Sequence, residues 1–155
     1  MMIRSGYLDH VFTPEKLKET VRLAKKKLRQ IHKVNPFDTI VFTGISGAAL
    51  GFTLSYETGF PVAVVRKSGE STHSSYRIEG NCGTDRYLLL DDFIEGGHTI
   101  RRIIKRMEEN LKTKPKCAAV LLHAPVPGNA NIGDGDLASG IVGRLPDVPV
   151  YSLDW

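Results

Sequence analysis

A chain of 155 residues that is 41% apolar and 25% charged can bury one full core but is too short for two ordinary domains, so one domain over residues 1–155 is expected. The formal charge of +4 and pI near 9.1 suit an anionic ligand and RNA equally, and charge alone selects neither. Cys82 and Cys117 lack the paired spacing of a disulfide framework or zinc site, residues 1–6 lack an apolar signal core, and no run of about 18 apolar residues occurs, so a soluble cytoplasmic protein with no membrane span is expected.

Strand and helix patterns then alternate. Thr13, Pro14 and Glu15 form a capped helix start, and Leu17, Val21, Leu23, Ala24, Leu28 and Ile31 follow at helical spacing with a lysine-rich opposite face. Residues 38–43 are a β-branched run that stops at Gly44, and 47–56 read as a helix of small residues closed by Gly59. A strand is expected at 61–65, followed at 68–83 by a polar stretch with neither period, read as a mobile loop. Residues 86–91 read as a buried strand, 99–111 as a basic helix and 116–122 as a further strand. From 124 to 155 glycine and proline break the pattern, which leaves an irregular cap with a short last strand near 148–153. The segment from Asn129 to Asp136 lacks the alternating acids and closing Glu of a calcium loop and reads as flexible loop. Successive strand-helix-strand units require right-handed crossovers, so the fold class is α/β: a mainly parallel five-stranded sheet flanked by helices, with ligands at the strands' C-terminal ends.

The chemistry concentrates in residues 87–100. An apolar run stops at Asp91 and Asp92, passes Gly96 and Gly97, and enters a helical pattern at Thr99. Loop amides and the positive end of a helix dipole favour phosphate there, while two carboxylates at the strand end can accept hydrogen bonds from a cis-diol. This stretch resembles the phosphoribosyl-pyrophosphate signature of type I phosphoribosyltransferases at Asp91, Asp92, Gly97 and Thr99. It departs at Gly96, where that family usually has Thr or Ser, and at His98, where Gly, Ser or Lys is common. The Gly96 departure removes a hydroxyl donor but leaves the backbone N–H.

The resemblance extends over a core at about 38–122, with a small hood from 124–155 and the N-terminal segment. It implies transfer of the 5-phosphoribosyl group from phosphoribosyl pyrophosphate to a nucleobase, with Mg²⁺ as cofactor held mostly through water by Asp91 and Asp92, and a homodimer. By the same resemblance, Gly96, Gly97, His98 and Thr99 cradle the 5′-phosphate, and Gly44, Ile45, Ser46 and Gly47 look like the pyrophosphate loop. That loop has neither the Walker A lysine nor the dinucleotide spacing, and Arg66 and Lys67 after the next strand could supply the missing charge. Ser75 and Tyr76 in the polar stretch are similar to a pair in a closing loop of the 6-oxopurine branch. An acid at Glu95 is similar to that branch too, where it acts near the purine N7, so a purine acceptor is expected. His123 stands where that branch has a Lys that reads the base, and Tyr151 or Trp155 could stack on it. A second reading is a regulatory protein of this fold that senses nucleotides and binds RNA, motivated by Ile45, Gly96, His98 and the basic runs 25–27 and 101–106.

Overall fold

The Thr13 hydroxyl accepts a hydrogen bond from the Lys16 amide at 3.3 Å, and Pro14 fills the first helical position, so α1 runs Pro14–Val34. The computed structural model describes residues 2, 4, 6–70, 73–130, 136–137 and 148–155. One turn of 3₁₀ helix, Asp9–Val11, precedes α1. There follow β1 (Thr39–Phe42), α2 (Gly44–Thr58), β2 (Val62–Val65), β3 (Ile78–Gly80), β4 (Arg86–Asp91), α3 (His98–Asn110) and β5 (Lys116–Leu122). A four-residue α4 (Pro127–Ala130), β6 (Asp136–Leu137) and β7 (Pro149–Ser152) complete the described chain. Residues 131–135 and 138–147 of the expected hood lie outside the described residues.

The strands form one sheet in the order β3-β2-β1-β4-β5-β7-β6. The five expected strands pair in parallel, and the two unexpected ones, β3 and β6, pair antiparallel on the outer edges. The sheet therefore has seven strands rather than five. β3 falls within the stretch read as loop, and it escaped notice because three residues ending in Gly80 at φ +109° show no alternation. Apolar runs such as 88–90 fit a sheet covered on both faces. Val41, Tyr87 and Leu89 pack toward Ile100, Ile103 and Met107 of α3, whereas Ile40, Phe42, Leu88 and Leu90 pack with α1 and α2.

Two glycines set how α2 rides on the sheet. A Cβ on Gly47 would lie 2.5 Å from the Phe42 Cβ, and one on Gly51 2.3 Å from the Phe42 ring. Only glycine allows this approach, and it lets the helix start at Gly44 rather than at the expected position 47. Gly59, at φ +79°, closes α2 in the left-handed conformation.

Candidate active site

Because β1, β2, β4 and β5 run parallel, their C-terminal ends share one edge, and a cavity of about 420 Å³ opens there. Thr43 and Ser46 line it from the end of β1, Lys67 from the segment after β2, residues 91–100 from the end of β4, and Arg102 from α3. Tyr7 of the N-terminal segment closes one side and meets Phe93 edge-on, with ring centroids 5.0 Å apart.

The turn into α3 presents amides to this cavity. Gly97 takes φ +71°, and the bond from the Arg101 amide to the Gly97 carbonyl, at 3.0 Å, begins the helical ladder. The amides of His98, Thr99 and Ile100 precede it and have no helical acceptor, so together with the helix dipole they form an anion site. Arg101 reaches back to the Gly96 carbonyl and to His98 Nδ1, both at 3.1 Å.

Asp91 and Asp92 are only 5% and 7% exposed. The Asp92 amide donates to Asp91 Oδ1 at 2.9 Å and the Phe93 amide to Asp92 Oδ1 at 2.7 Å. Burial, reinforced by the adjacent Asp92 charge, pushes the Asp91 carboxyl up to about 7, and Lys67 opposes that shift. Two buried like charges side by side are poised for a cation or for hydroxyl donors. Lys67 holds its ammonium against Gly44, where a Cβ would lie 2.8 Å from Nζ. Arg106 donates to the Arg66 carbonyl and to Ser68 Oγ, pinning the chain on both sides of Lys67.

Behind Ser46 sits a pair of imidazoles. His123 is fully buried, with Nε2 2.9 Å from the Ser46 carbonyl oxygen and Nδ1 2.8 Å from His10 Nε2. Burial, and then the neighbouring His10, hold the His123 pKa down at about 4, and burial lowers that of His10 as well. Trp155 packs edge-on against His10, with centroids 5.5 Å apart. Together with Tyr7, Pro125 and Val126, these two residues line a second cavity of about 310 Å³.

Over 97 residues, 62% of this chain, it is 29% identical to an orotate phosphoribosyltransferase of Methanosarcina acetivorans and 28% identical to one of Methanosarcina mazei. The chain spans about half the length of these curated relatives, 50% of each. No protein-family model matches it. Among solved structures, the orotate phosphoribosyltransferase of Aeropyrum pernix superposes on 92% of this chain and 73% of its own, with a TM-score of 0.66 at 15% identity. The adenine phosphoribosyltransferase of Saccharomyces cerevisiae superposes on 92% and 80%, with a TM-score of 0.60 at 17% identity. The chain has the type I phosphoribosyltransferase fold.

On this phosphoribosyltransferase fold the acid pair, residues 95–99, Ser46 and Lys67 line one cavity. Other expected site residues lie elsewhere. Arg66 turns away to an ion pair with Glu79 on β3, its Nε donating at 2.8 Å. Ile45 is 74% exposed, and Gly47 is occupied by the packing of Phe42. His123 cannot touch a base, because both ring nitrogens are bonded inside the protein. Tyr151 packs among the α1 and α2 core residues, its hydroxyl accepting from Asn35 Nδ2 at 2.9 Å. Trp155 lines the second cavity and not the first. Ser75 and Tyr76 line neither and border a separate cavity beside the C-terminal end of α3. Sequence reasoning missed Tyr7, Phe93 and Arg102. Arg102 had a usable signal, since it lies three residues after Thr99 and so on the same helix face. Among the described residues, no helix is long and apolar enough to cross a membrane.

Proposed function

We propose that the 420 Å³ cavity binds phosphoribosyl pyrophosphate and that the chain transfers its 5-phosphoribosyl group to a nitrogenous base. The bond from the anomeric carbon to pyrophosphate breaks, a bond to a ring nitrogen of the base forms, and the nitrogen's proton leaves. The observation that carries this reading is the meeting, in one cavity, of open amides at the start of α3 with a buried carboxylate pair and a facing cation. The amides of residues 96–99 take the 5′-phosphate, Asp91 and Asp92 accept from the ribose hydroxyls, and Lys67 and Arg102 offset the charge that grows on pyrophosphate.

The donor set fits Mg²⁺. One oxygen of each acid accepts from a backbone amide and the two carboxyls share a side-chain hydrogen bond, so the same turn gathers hard oxygen donors that a cation could take up. Held there by Asp91 and Asp92 through water, the metal would supply charge neutralisation for the diphosphate.

Tyr7 lines both cavities, so the second cavity, bordered by the rings of Tyr7, His10 and Trp155, is the place for the acceptor base. The names of the two curated relatives put orotate first as acceptor. With His123 withdrawn into the core, the purine expectation rests on Glu95 alone, which is exposed at the cavity rim. The test is pyrophosphate release from labelled phosphoribosyl pyrophosphate with orotate, uracil, adenine, guanine and hypoxanthine, with and without Mg²⁺. Release with orotate ahead of the others is expected, and a purine in first place would restore the role of Glu95. No release with any base, together with salt-dependent RNA binding, would sink the enzyme reading in favour of the regulator.

A further inference from the structure

The two cavities are lined by residues that a single hydrogen-bonded chain joins. Ser46 lines the anion cavity, and its carbonyl can only accept, so His123 Nε2 must carry the proton that points to it. That leaves His123 Nδ1 as an acceptor, and the 2.8 Å contact requires His10 Nε2 to donate. One tautomer of each ring satisfies both bonds, and each ring is neutral in it. His10 lines the aromatic cavity, where Trp155 meets it edge-on at 83°.

The ends of this chain are anchored. The Thr20 hydroxyl of α1 donates to the His10 carbonyl at 2.7 Å, and the His123 amide donates to the Asp91 carbonyl at 3.0 Å. His123 is thus bonded through its main chain to the acid turn and through its ring to the first turn of α2. A displacement of Ser46 meets two rings that are wholly or almost wholly buried, and the open space on their path lies on the Trp155 side of His10.

We infer that His10 and His123 are positioning residues that couple the two cavities, so that an anion held in the first cavity, beside Ser46, is sensed at Trp155. This inference rests on the function proposed above. Its consequence is that occupancy of the anion cavity prepares the aromatic cavity for the base, and by reciprocity the base strengthens anion binding. Tyr7, which also touches both cavities, is the competing route.

Trp155 is the only tryptophan in the chain, so its fluorescence reports on the aromatic cavity alone. The full chain is titrated with magnesium pyrophosphate, with tryptophan fluorescence and heat followed in parallel. The wild type should give both signals with the same midpoint. His123→Leu, which removes both ring bonds, should lose the fluorescence response and bind pyrophosphate about fivefold more weakly, at the low end of ordinary site coupling. His123→Gln keeps an amide donor for the Ser46 carbonyl but offers His10 no ring nitrogen. It should lose the response while weakening pyrophosphate less than His123→Leu does, and it decides between the outcomes if the leucine variant does not fold. Heat without a fluorescence change in the wild type overturns the coupling and leaves the proposed function standing. A response that persists in both variants assigns the coupling to Tyr7 and also overturns it. Absence of pyrophosphate heat in the wild type overturns both readings.

Discussion

β1 and β4 lie side by side in the sheet, and each runs into a helix through a glycine-bearing turn at the same edge. In the turn after β1 the glycines answer to the protein: Gly44 makes room for Lys67, and Gly47 and Gly51 for Phe42, while the Ser46 carbonyl is held by His123. In the turn after β4 the glycines leave amides open. Gly97 takes φ +71° with no side-chain cap on the helix, and Gly96 has only the exposed His98 ring near its missing Cβ. Two similar sequence patterns thus give one turn locked by packing and one turn free to meet an anion. A glycine-rich turn points to a ligand only where the space beside it is empty of protein, and that is a property of the neighbouring strand and helix.

The acid pair belongs to the open turn, where the locked turn has Thr43 bonded to the Val65 carbonyl at 2.6 Å. The largest expected effect is therefore at Asp91 and Asp92. Changing both to Asn keeps the amide-accepting oxygens but removes the charges, and activity should fall by about 10³-fold or more, on the order of 4 kcal/mol of barrier. The same change should stabilise the empty protein at high pH. The Asp91 pKa rises from 3.8 unfolded to about 7 folded, so the stability linked to its protonation is full below the first value and lost as pH rises through the second. The melting temperature of the double variant should exceed that of wild type by more at pH 8 than at pH 5, without Mg²⁺. Substantial turnover by the double variant would remove the acids from the mechanism.

The locked turn has no cation of its own and faces the one on Lys67. Lys67→Met should raise the KM for phosphoribosyl pyrophosphate about 10- to 100-fold, the range of one charged hydrogen bond of ~1.5 to 3 kcal/mol. Arg66→Met should barely move it, because that guanidinium is engaged by Glu79. Equal effects from the two variants would erase the distinction between neighbouring residues that share a sequence motif but not a direction.

These contrasts show which parts of the molecule were legible in the sequence. The five parallel strands and the starts of α1 and α3 follow from runs of Val, Ile and Leu, from the Thr13 cap and from the Gly96-Gly97 pair, all of them local signals. The acid pair was legible because adjacent carboxylates at a strand end are costly without a ligand. His123 and Tyr151 were misread because nothing local tells whether a polar ring after a strand turns into the core. Their partners, His10 and Asn35, lie 113 and 116 residues away. Tyr7 enters the site from the other end of the chain for the same reason. The strand β3 was lost because its order comes from pairing with β2 and not from its own three residues.

The smallest expected effect sets the two turns against each other by one kind of substitution. Gly96 is not among the glycines with positive φ, and a Cβ there would lie 3.0 Å from His98 Cδ2, on a ring that is exposed and able to move. Gly96→Thr should therefore fold normally and add a hydroxyl donor beside the open amides. The KM for phosphoribosyl pyrophosphate should fall, by up to about tenfold for ~1.4 kcal/mol. Gly47→Thr meets the Phe42 Cβ within 2.5 Å, a backbone-proximal atom that cannot swing aside. It should cost stability, ~1 to 3 kcal/mol by overpacking, and should improve nothing at the site. Thermal melts and steady-state kinetics on the two variants separate the outcomes. If Gly96→Thr leaves the KM unchanged or raises it, the turn after β4 is shaped around His98 and Gly96 as they stand, and the two turns differ less than their packing implies.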